Sequence, residues 1–298
     1  MVTINRLSSD RSVTHILSGE GTCHFAEWSG HLSIKTFRGG KAYYDIGNGK
    51  YAVGGSEMLI VNDSQEYQIT IDSLTPVESF CVFFRDKIAK DVYLSKVQSA
   101  GRLLDNPFPD TSTAIEFVPK IYESEALESV VERLRTAVTS GAADEAAIEE
   151  GAYAVMSEML DVRARSFRHI KSLNEENQST RVEIYKRVCR ARDFMRAAYS
   201  EPISVDTVAG VACMSTNHLI RSFKQVFRKT PYQYLKSVRL RKAAELLQDT
   251  DLPVIQICSA VGFSSHASFT TTFRTKFGAA PSHYRKKRIK SDFRQVGE

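Results

Sequence analysis

The last third of the chain repeats one pattern of apolar positions. Four residues recur in the same order 50 positions later: Phe223, Phe227, Pro231 and Tyr234, then Phe273, Phe277, Pro281 and Tyr284. A segment rich in small side chains precedes these residues in each copy, at 208–215 and at 257–264, an offset of 49 positions. The second copy therefore contains one additional residue at its turn. A repeat of this length is typical of a duplicated structural unit that cannot bury its apolar face alone.

Each copy predicts two short helices joined by a tight turn. In the first copy, Ser204 and Ser215 precede apolar residues spaced by three and four positions, as capping residues do at helix starts. The turns fall at 213–214 and 262–263, and Ser264 or Ser265 caps the last helix of the second copy. This is the helix-turn-helix pattern, predicted at about 203–224 and about 253–274.

The first 180 residues follow other patterns. Between His31 and Phe84, short segments of alternating apolar and polar residues are separated by turn residues such as Gly47, Asn48 and Gly49. Six or more short strands at this spacing predict a small all-β sandwich or barrel. Residues 1–22 are polar and turn-rich, and we expect them to form an arm or a poorly ordered start.

Helical spacing returns after Asp86. Helices are predicted over 126–138 and 145–162. These two helices could form an antiparallel pair, could form a dimer contact, or could pack on the β-unit. Residues 163–180 are polar and charged and are predicted to be an interdomain linker. Residues 286–298 form a basic tail without periodicity.

Composition excludes several classes of protein. With 298 residues, 42% of them hydrophobic and 25% charged, the chain is typical of a globular protein with two domains. No apolar run approaches ~18 residues and no secretion signal is recognised at the start, so we expect no membrane association and a cytoplasmic location. The five cysteines are scattered and form no C-x-x-C pair, which favours reduced thiols over a disulfide or zinc framework.

Charge is divided unevenly along the chain. Residues 181–298 contain 22 Lys and Arg against 9 Asp and Glu, a net charge of +13, whereas residues 1–180 carry −8. The segments Ser215–Lys229 and Ser265–Lys276 contain no acidic residue. The outward face of a helical hairpin that does not bind nucleic acid would be free to carry acidic residues. Because these two segments carry none, the basic half is predicted to bind double-stranded DNA.

A further helix, predicted over 232–247, separates the two helix-turn-helix units. It would be roughly 24 Å long. Such a helix could hold the two recognition helices apart at about the ~34 Å of one DNA turn. One subunit would then occupy two successive major-groove segments on one face of the duplex.

Five segments of the basic half resemble those of a known protein family: Ile203–Ala209, Met214–Leu219, Arg239–Leu247, Val261–Ser265 and the closing residues from Phe273 to Arg285. Residues 182–288 resemble the DNA-binding domain of the AraC/XylS family of bacterial transcription regulators. The sequence departs from the family at Cys213, where Gly is usual, and at Thr271, where relatives often carry a long polar or basic residue.

The resemblance implies an α+β architecture in two domains. Residues 1–162 would form a cupin-like β-barrel with appended helices, which binds a small effector and supports dimerisation. Residues 163–180 would link it to an all-α DNA-binding domain, residues 181–298. Activation of transcription is the commoner role in the family, so promoter DNA, RNA polymerase, a small-molecule effector and a second copy of the chain are the implied partners.

The residues predicted to contact DNA lie on the outward faces of the two recognition helices. They are Thr216, Asn217, His218, Ile220, Arg221 and Lys224 on the first helix, and His266, Ala267, Thr270, Thr271 and Arg274 on the second. Asn217 could bind adenine and Arg221 guanine, whereas the second helix offers short or weakly basic side chains. We therefore expect the first helix to carry most of the specificity. Arg239, Lys242 and 285–290 are candidates for phosphate contacts or for a solvated face.

The N-terminal half offers fewer signals. An effector pocket is predicted at a barrel mouth, although each of its candidate residues fits an ordinary core as well: Trp28, Phe37, Tyr43, Tyr44 and Tyr67. An enzymatic metal cupin is disfavoured because His15, His24 and His31 precede the main strands and no H-x-H occurs. A DNA-repair alkyltransferase is disfavoured because no cysteine cluster exists. We predict neither an enzyme nor a bound metal or cofactor, and a regulator switched by a protein partner without an effector remains an alternative.

Overall fold

A computed structural model describes residues 11–47, 49–97 and 115–285 of the chain. The chain divides into two compact units, Met1–Cys189 and Arg190–Glu298. None of the helices within the described residues has the length and apolar character needed to cross a membrane.

The described part of the first unit contains seven strands. They are β1 (His15–Ser29), β2 (Ser33–Arg38), β3 (Ala42–Asp45), β4 (Lys50–Val53), β5 (Met58–Val61), β6 (Glu66–Phe83) and β7 (Ile121–Tyr122). The prediction of an all-β region over 31–84 is confirmed. The arm predicted over 1–22 is wrong from His15 onward, because β1 pairs with β6 on both sides of an irregularity between Gly21 and Cys23. A local pattern does not reveal such a long-range partner.

The strands form one antiparallel sheet that nearly closes into a barrel. The order is β4-β3-β6-β2-β5-β7, with β1 on the other side of β6. The long strand β6 pairs with β3 through its first half and with β2 through its second half. In this register Lys35 on β2 lies opposite Cys81 on β6, and Trp28 on β1 lies opposite Tyr67.

Two apolar cores occupy the two faces of this sheet. The inner core includes Phe37, Tyr44 and Cys81. The outer core includes Ile34 and Phe80 and is shared with the helices that follow. Because successive residues of a strand point to opposite faces and both faces of β2 are covered, its first five residues are all buried.

Among the described residues, α1 (Ile88–Val97) lies between β6 and β7 in the chain, and α2 (Glu125–Thr139) and α3 (Glu145–Lys171) follow β7. Ser124 caps α2 and Asp144 caps α3 through side-chain oxygens that accept backbone N–H groups. Residues of α2 and α3 belong to the same core as β2 and β6, so the alternative that these helices pack on the β-unit is confirmed. They also pack on each other.

The segment predicted to be a linker, 163–180, is largely helical. Helix α3 continues to Lys171, and α4 (Gln178–Ala197) begins inside the same segment. Within this polar sequence, three residues spaced four positions apart are buried: Val162, Ser166 and Ile170. Residues at this spacing lie on one face of a helix, and their burial is sufficient to pack that face against the rest of the unit. The boundary between the two compact units falls within α4, after Cys189.

The second unit is all-helical within the described residues. After the end of α4 come α5 (Val205–Val211), α6 (Thr216–Phe227), α7 (Pro231–Asp249), α8 (Val254–Ala260) and α9 (His266–Phe277). A further helical turn begins at 281–285. The two predicted helix-turn-helix units are confirmed as α5–α6 and α8–α9, with α7 between them. The predicted basic tail, 286–298, lies outside the described residues.

Candidate nucleic-acid interface and barrel cavity

The first helix-turn-helix is built by two serine caps and a left-handed turn. Ser204 accepts a hydrogen bond from the backbone of Thr207, and Ser215 accepts one from that of His218. Between them the chain reverses at Cys213, whose φ is +52°. Non-glycine residues adopt this region at a cost, so Cys213 occupies a position suited to glycine.

The second helix-turn-helix places glycine at the corresponding turn position. Gly262 has a φ of +82°, and a Cβ there would stand 2.7 Å from the carbonyl oxygen of Ser200 and 3.0 Å from the guanidinium of Arg239. Ser265 caps α9 by accepting from the backbone of Ser268. Glycine is therefore required at this turn for both backbone conformation and space.

The repeated aromatic residues form equivalent clusters in the two copies. In the first copy the ring centroids of Phe223 and Phe227 are 4.7 Å apart, and those of Phe223 and Tyr234 are 5.5 Å apart. Fifty residues later the corresponding distances are 4.5 Å for Phe273 and Phe277 and 5.4 Å for Phe273 and Tyr284. The sequence repeat is thus a structural repeat.

Helix α6 presents one exposed row of polar side chains. Asn217, Arg221 and Lys224 are exposed and follow one another at spacings of four and three residues, whereas Leu219 and Phe223 are buried. An outward row at this spacing lies on one face of the helix. It combines an amide, a guanidinium and an ammonium, which are suited to adenine, guanine and phosphate respectively.

The other predicted residues of α6 are placed differently. Thr216, His218 and Ile220 are half-buried. The Oγ1 of Thr216 donates a 2.6 Å hydrogen bond to the carboxylate of Asp206 on α5. The structure therefore brings Thr216 into the contact between the two helices of the unit.

Helix α9 presents the equivalent row with different chemistry. Ala267, Thr271 and Arg274 are exposed at the positions that correspond to the α6 row, and His266 is exposed at the helix start. Thr270 is half-buried. Apart from Arg274, this row lacks the long donor side chains found on α6.

Three basic residues predicted for phosphates or a solvated face have partners within the protein. Arg239 donates from Nε to the carbonyl oxygen of Tyr199 and from Nη2 to that of Glu201, both at 2.7 Å. Burial lowers the pKa of Arg239 from its ordinary value. Lys242 donates to Glu245 and Arg285 to the carbonyl of Leu252, and residues 286–290 lie outside the described part.

A cavity of about 60 Å³ lies inside the barrel. Its walls come from four strands: Leu17, Gly21, His24 and Trp28 on β1, Lys35 and Phe37 on β2, Tyr44 on β3, and Tyr67, Ile69, Ile71, Ser79, Cys81 and Phe83 on β6. Four of the five residues predicted for an effector pocket are therefore brought together here. Tyr43 is not, because it points to the opposite face of β3 and is 52% exposed.

Lys35 is the cavity residue that the sequence prediction missed. Its side chain is 1% exposed, and its Nζ donates a 3.2 Å hydrogen bond to the hydroxyl of Tyr67 and lies 3.5 Å from the ring centroid of Phe83. Burial lowers the pKa of Lys35 to about 8. Lys35 lies two residues before Phe37 and therefore shares its face of β2, but the local sequence does not show that this face points into the barrel.

His15 and His24 lie within β1 and not before the strands, so that part of the prediction is wrong. The rings of His15 and His31 have centroids 6.4 Å apart. Across residues 11–47, 49–97 and 115–285, no group of three or more His, Cys, Asp or Glu is placed to hold a metal ion.

Comparison with known proteins places the C-terminal helices in a family. A helix-turn-helix domain model matches residues 208–287. The regulator AlkR of Acinetobacter baylyi is 31% identical over 117 residues, which are 39% of this chain and 38% of AlkR. A protein of Proteus vulgaris described as "Probable transcription factor PqrA" is 37% identical over 86 residues, which are 29% of this chain and 70% of PqrA. The chain belongs to the AraC/XylS family of transcription regulators.

Members of the AraC/XylS family with solved structures are also similar. A Chromobacterium violaceum transcriptional regulator with an AraC-type DNA-binding domain is 36% identical over 34% of this chain and 91% of that chain, with a TM-score of 0.33. The match to AlkR covers less than two fifths of that relative's length, 38%. The family assignment therefore rests on the C-terminal helices.

Proposed function

We propose that the protein is a sequence-specific DNA-binding transcriptional regulator that reads promoter DNA with α6 and α9. The observation that carries this proposal is the exposed, acid-free row of Asn217, Arg221 and Lys224 on α6. The helix-turn-helix frame presents such a row outward while its apolar side is buried.

The two recognition helices have unequal roles in this proposal. Arg221 can bind guanine bidentately and Asn217 can bind adenine, and each contact contributes about 1–3 kcal/mol of discrimination. Ala267 and Thr271 can offer only methyl groups or a short hydroxyl, so α9 mainly positions the protein through Arg274 and the phosphates. Helix α6 therefore carries most of the sequence specificity.

The connecting helix suits two successive contacts along the duplex. Helix α7 has 19 residues, which corresponds to about 28 Å at the usual rise per residue. This length is comparable with the ~34 Å of one DNA turn. One chain then spans two adjacent major-groove segments, with α6 in one and α9 in the other.

The N-terminal unit acts as the controlling part in this proposal. The nearly closed barrel with appended helices supports a cupin-like domain that binds a small effector and mediates homodimerisation. An effector with different affinity for two arrangements of the dimer would shift the regulator between them. Activation through RNA polymerase is the proposed outcome at the promoter.

The experiment that tests the proposed function is selection of bound duplexes from a random library by the purified full chain, followed by footprinting of the selected sequence. We expect a protected tract of about two helical turns and an affinity that falls steeply with salt. A shorter tract, or binding that is insensitive to salt, would refute the DNA-reading role.

A further inference from the structure

Lys35 is a buried basic group with little polar compensation. Within the described residues its Nζ makes one hydrogen bond, to the Tyr67 hydroxyl, and its other close neighbour is the face of Phe83. It has no ion pair with a described carboxylate. Because an ammonium has three donors and is costly to bury without an anion, this site lacks a negative partner.

The cavity beside Lys35 offers space for that partner. Lys35 and Tyr67 both line it, and the remaining wall is mainly aromatic and aliphatic. Since the Tyr67 hydroxyl accepts the hydrogen bond from Lys35, its own proton stays available to a second acceptor. Residues that carry an ammonium and a hydroxyl donor thus line one small space, and the two oxygens of a carboxylate could each accept from one of these donors.

The surroundings of the cavity limit the charge and shape of the ligand. Trp28 and Tyr67 also line a neighbouring, wider pocket, whose other residues include the carboxylates of Glu27, Asp45 and Glu66. A ligand with several negative charges would be repelled there. A single carboxylate at the inner end, followed by an apolar tail along Trp28, satisfies both regions.

We propose that the barrel cavity binds a monocarboxylate with an apolar tail, whose carboxylate contacts the Nζ of Lys35 and the hydroxyl of Tyr67. The idea that this ligand is the effector rests on the proposed function, whereas its binding to the barrel does not. Lys35 supplies the charge recognition, and the aromatic wall holds the tail.

Trp28 provides a direct probe, because it is the only tryptophan of the chain and lines the cavity. Octanoate titrated into the full chain should change its fluorescence saturably, whereas neutral octanamide and dianionic suberate should each bind at least about tenfold more weakly. If octanamide or suberate binds as tightly as octanoate, the proposed charge recognition is wrong.

Two variants distinguish the specific contribution of Lys35 to octanoate binding from the general effect of removing one positive charge. Lys35→Met preserves the length of the side chain and should weaken octanoate binding at least about tenfold. The matched control Lys41→Met changes an exposed lysine and should leave the affinity unchanged. Circular dichroism shows whether Lys35→Met and the unaltered protein are both folded. If both are folded and bind octanoate with equal affinity, the proposal is overturned.

A second measurement needs no variant. His24, Tyr44, Tyr67 and Cys81 are the other titratable groups of the cavity. Burial raises the pKa of Tyr44, Tyr67 and Cys81 above their ordinary values. Between about pH 8 and pH 9, octanoate affinity should therefore fall with deprotonation of Lys35, approaching about tenfold per pH unit. A constant affinity across this range would contradict the proposed ion pair.

DNA binding supplies a separate readout. If octanoate binds but no duplex is selected, the carboxylate site stands and the regulator proposal fails. If a duplex is selected and octanoate does not bind, the regulator proposal stands and the carboxylate site fails.

Discussion

The Nε of Arg239 donates a 2.7 Å hydrogen bond to the carbonyl oxygen of Tyr199, and its Nη2 reaches the carbonyl of Glu201. The same guanidinium lies beside Gly262, where an added Cβ would come within 3.0 Å of it. Arg239 therefore joins the segment after α4, the connecting helix α7 and the turn of the second helix-turn-helix. Its role is structural positioning within the DNA-binding unit.

Replacing Arg239 with Met should lower the free energy of unfolding by about 1–2 kcal/mol, because two backbone carbonyls lose their donors. Urea unfolding followed by circular dichroism measures this loss. Arg274→Met, which removes an exposed arginine of α9, is the control and should change the stability by less than about 0.5 kcal/mol. Equal stability of the two variants would mean that the Arg239 contacts contribute nothing.

Replacing Cys213 with glycine should increase the free energy of unfolding. Its φ of +52° lies in the left-handed region, which costs a non-glycine residue about 1–2 kcal/mol. Glycine also increases the entropy of the unfolded chain, so Cys213→Gly should gain about 0.5–1 kcal/mol overall. Cys213→Ala keeps the backbone cost while removing the thiol, and the stability difference between Gly and Ala isolates the backbone effect. If Ala proves as stable as Gly in thermal unfolding, strain at this turn is excluded.

Local signals predicted the second unit well. Ser204, Ser215 and Ser265 cap the helices that they precede in sequence, because a cap is decided within four residues. Arg239 was harder to interpret, since the carbonyls that it binds are about 40 residues away in sequence. Its sequence neighbourhood does not show whether its charge faces solvent or backbone.

The first unit was predicted less completely because its contacts are long-range. The alternation near Tyr43 and Tyr44 predicted a strand but not which of the two faces inward. In the same way, Lys35 appeared as the polar member of an alternating strand, although both faces of β2 are covered and the lysine points into the barrel. Coverage of both faces depends on β6 and the helices, which the local pattern cannot reveal.

Arg221→Ala should raise the Kd for the selected duplex about 10- to 100-fold and relax the base preference at one position, because a bidentate guanine contact is lost. His266→Ala should change the Kd by less than about threefold. Fluorescence anisotropy at several salt concentrations measures both variants. Equal losses would refute the ranking of α6 over α9.

The salt dependence of Arg221→Ala distinguishes a base contact from a phosphate contact. If Arg221 reads guanine, the alanine variant loses the preference for that base at one position. If Arg221 contacts a phosphate instead, the variant binds all duplexes more weakly, its base preference is unchanged and its salt slope decreases by about 1. An unchanged base preference together with the smaller salt slope would assign Arg221 to the phosphate backbone.

Lys35 should make the stability of the protein depend on pH in a defined direction. Burial lowers the pKa of Lys35 from 10.5 to about 8, so between these values the unfolded chain binds more protons than the folded one. Stability from this group therefore rises with pH across that window, and its destabilising effect is fully present below about pH 8. The shift corresponds to about 3 kcal/mol.

Lys35→Met removes this effect. In the absence of ligand, the variant should be more stable than the unaltered protein at pH 7, by up to about 3 kcal/mol. The difference should shrink as the pH rises from about 8 toward about 10. Subtracting the two urea-unfolding series cancels the opposing contributions of Tyr44, Tyr67 and Cys81, which both proteins share. A stability difference that does not change with pH would show that Lys35 is not buried as a cation, and the carboxylate site would lose its physical basis.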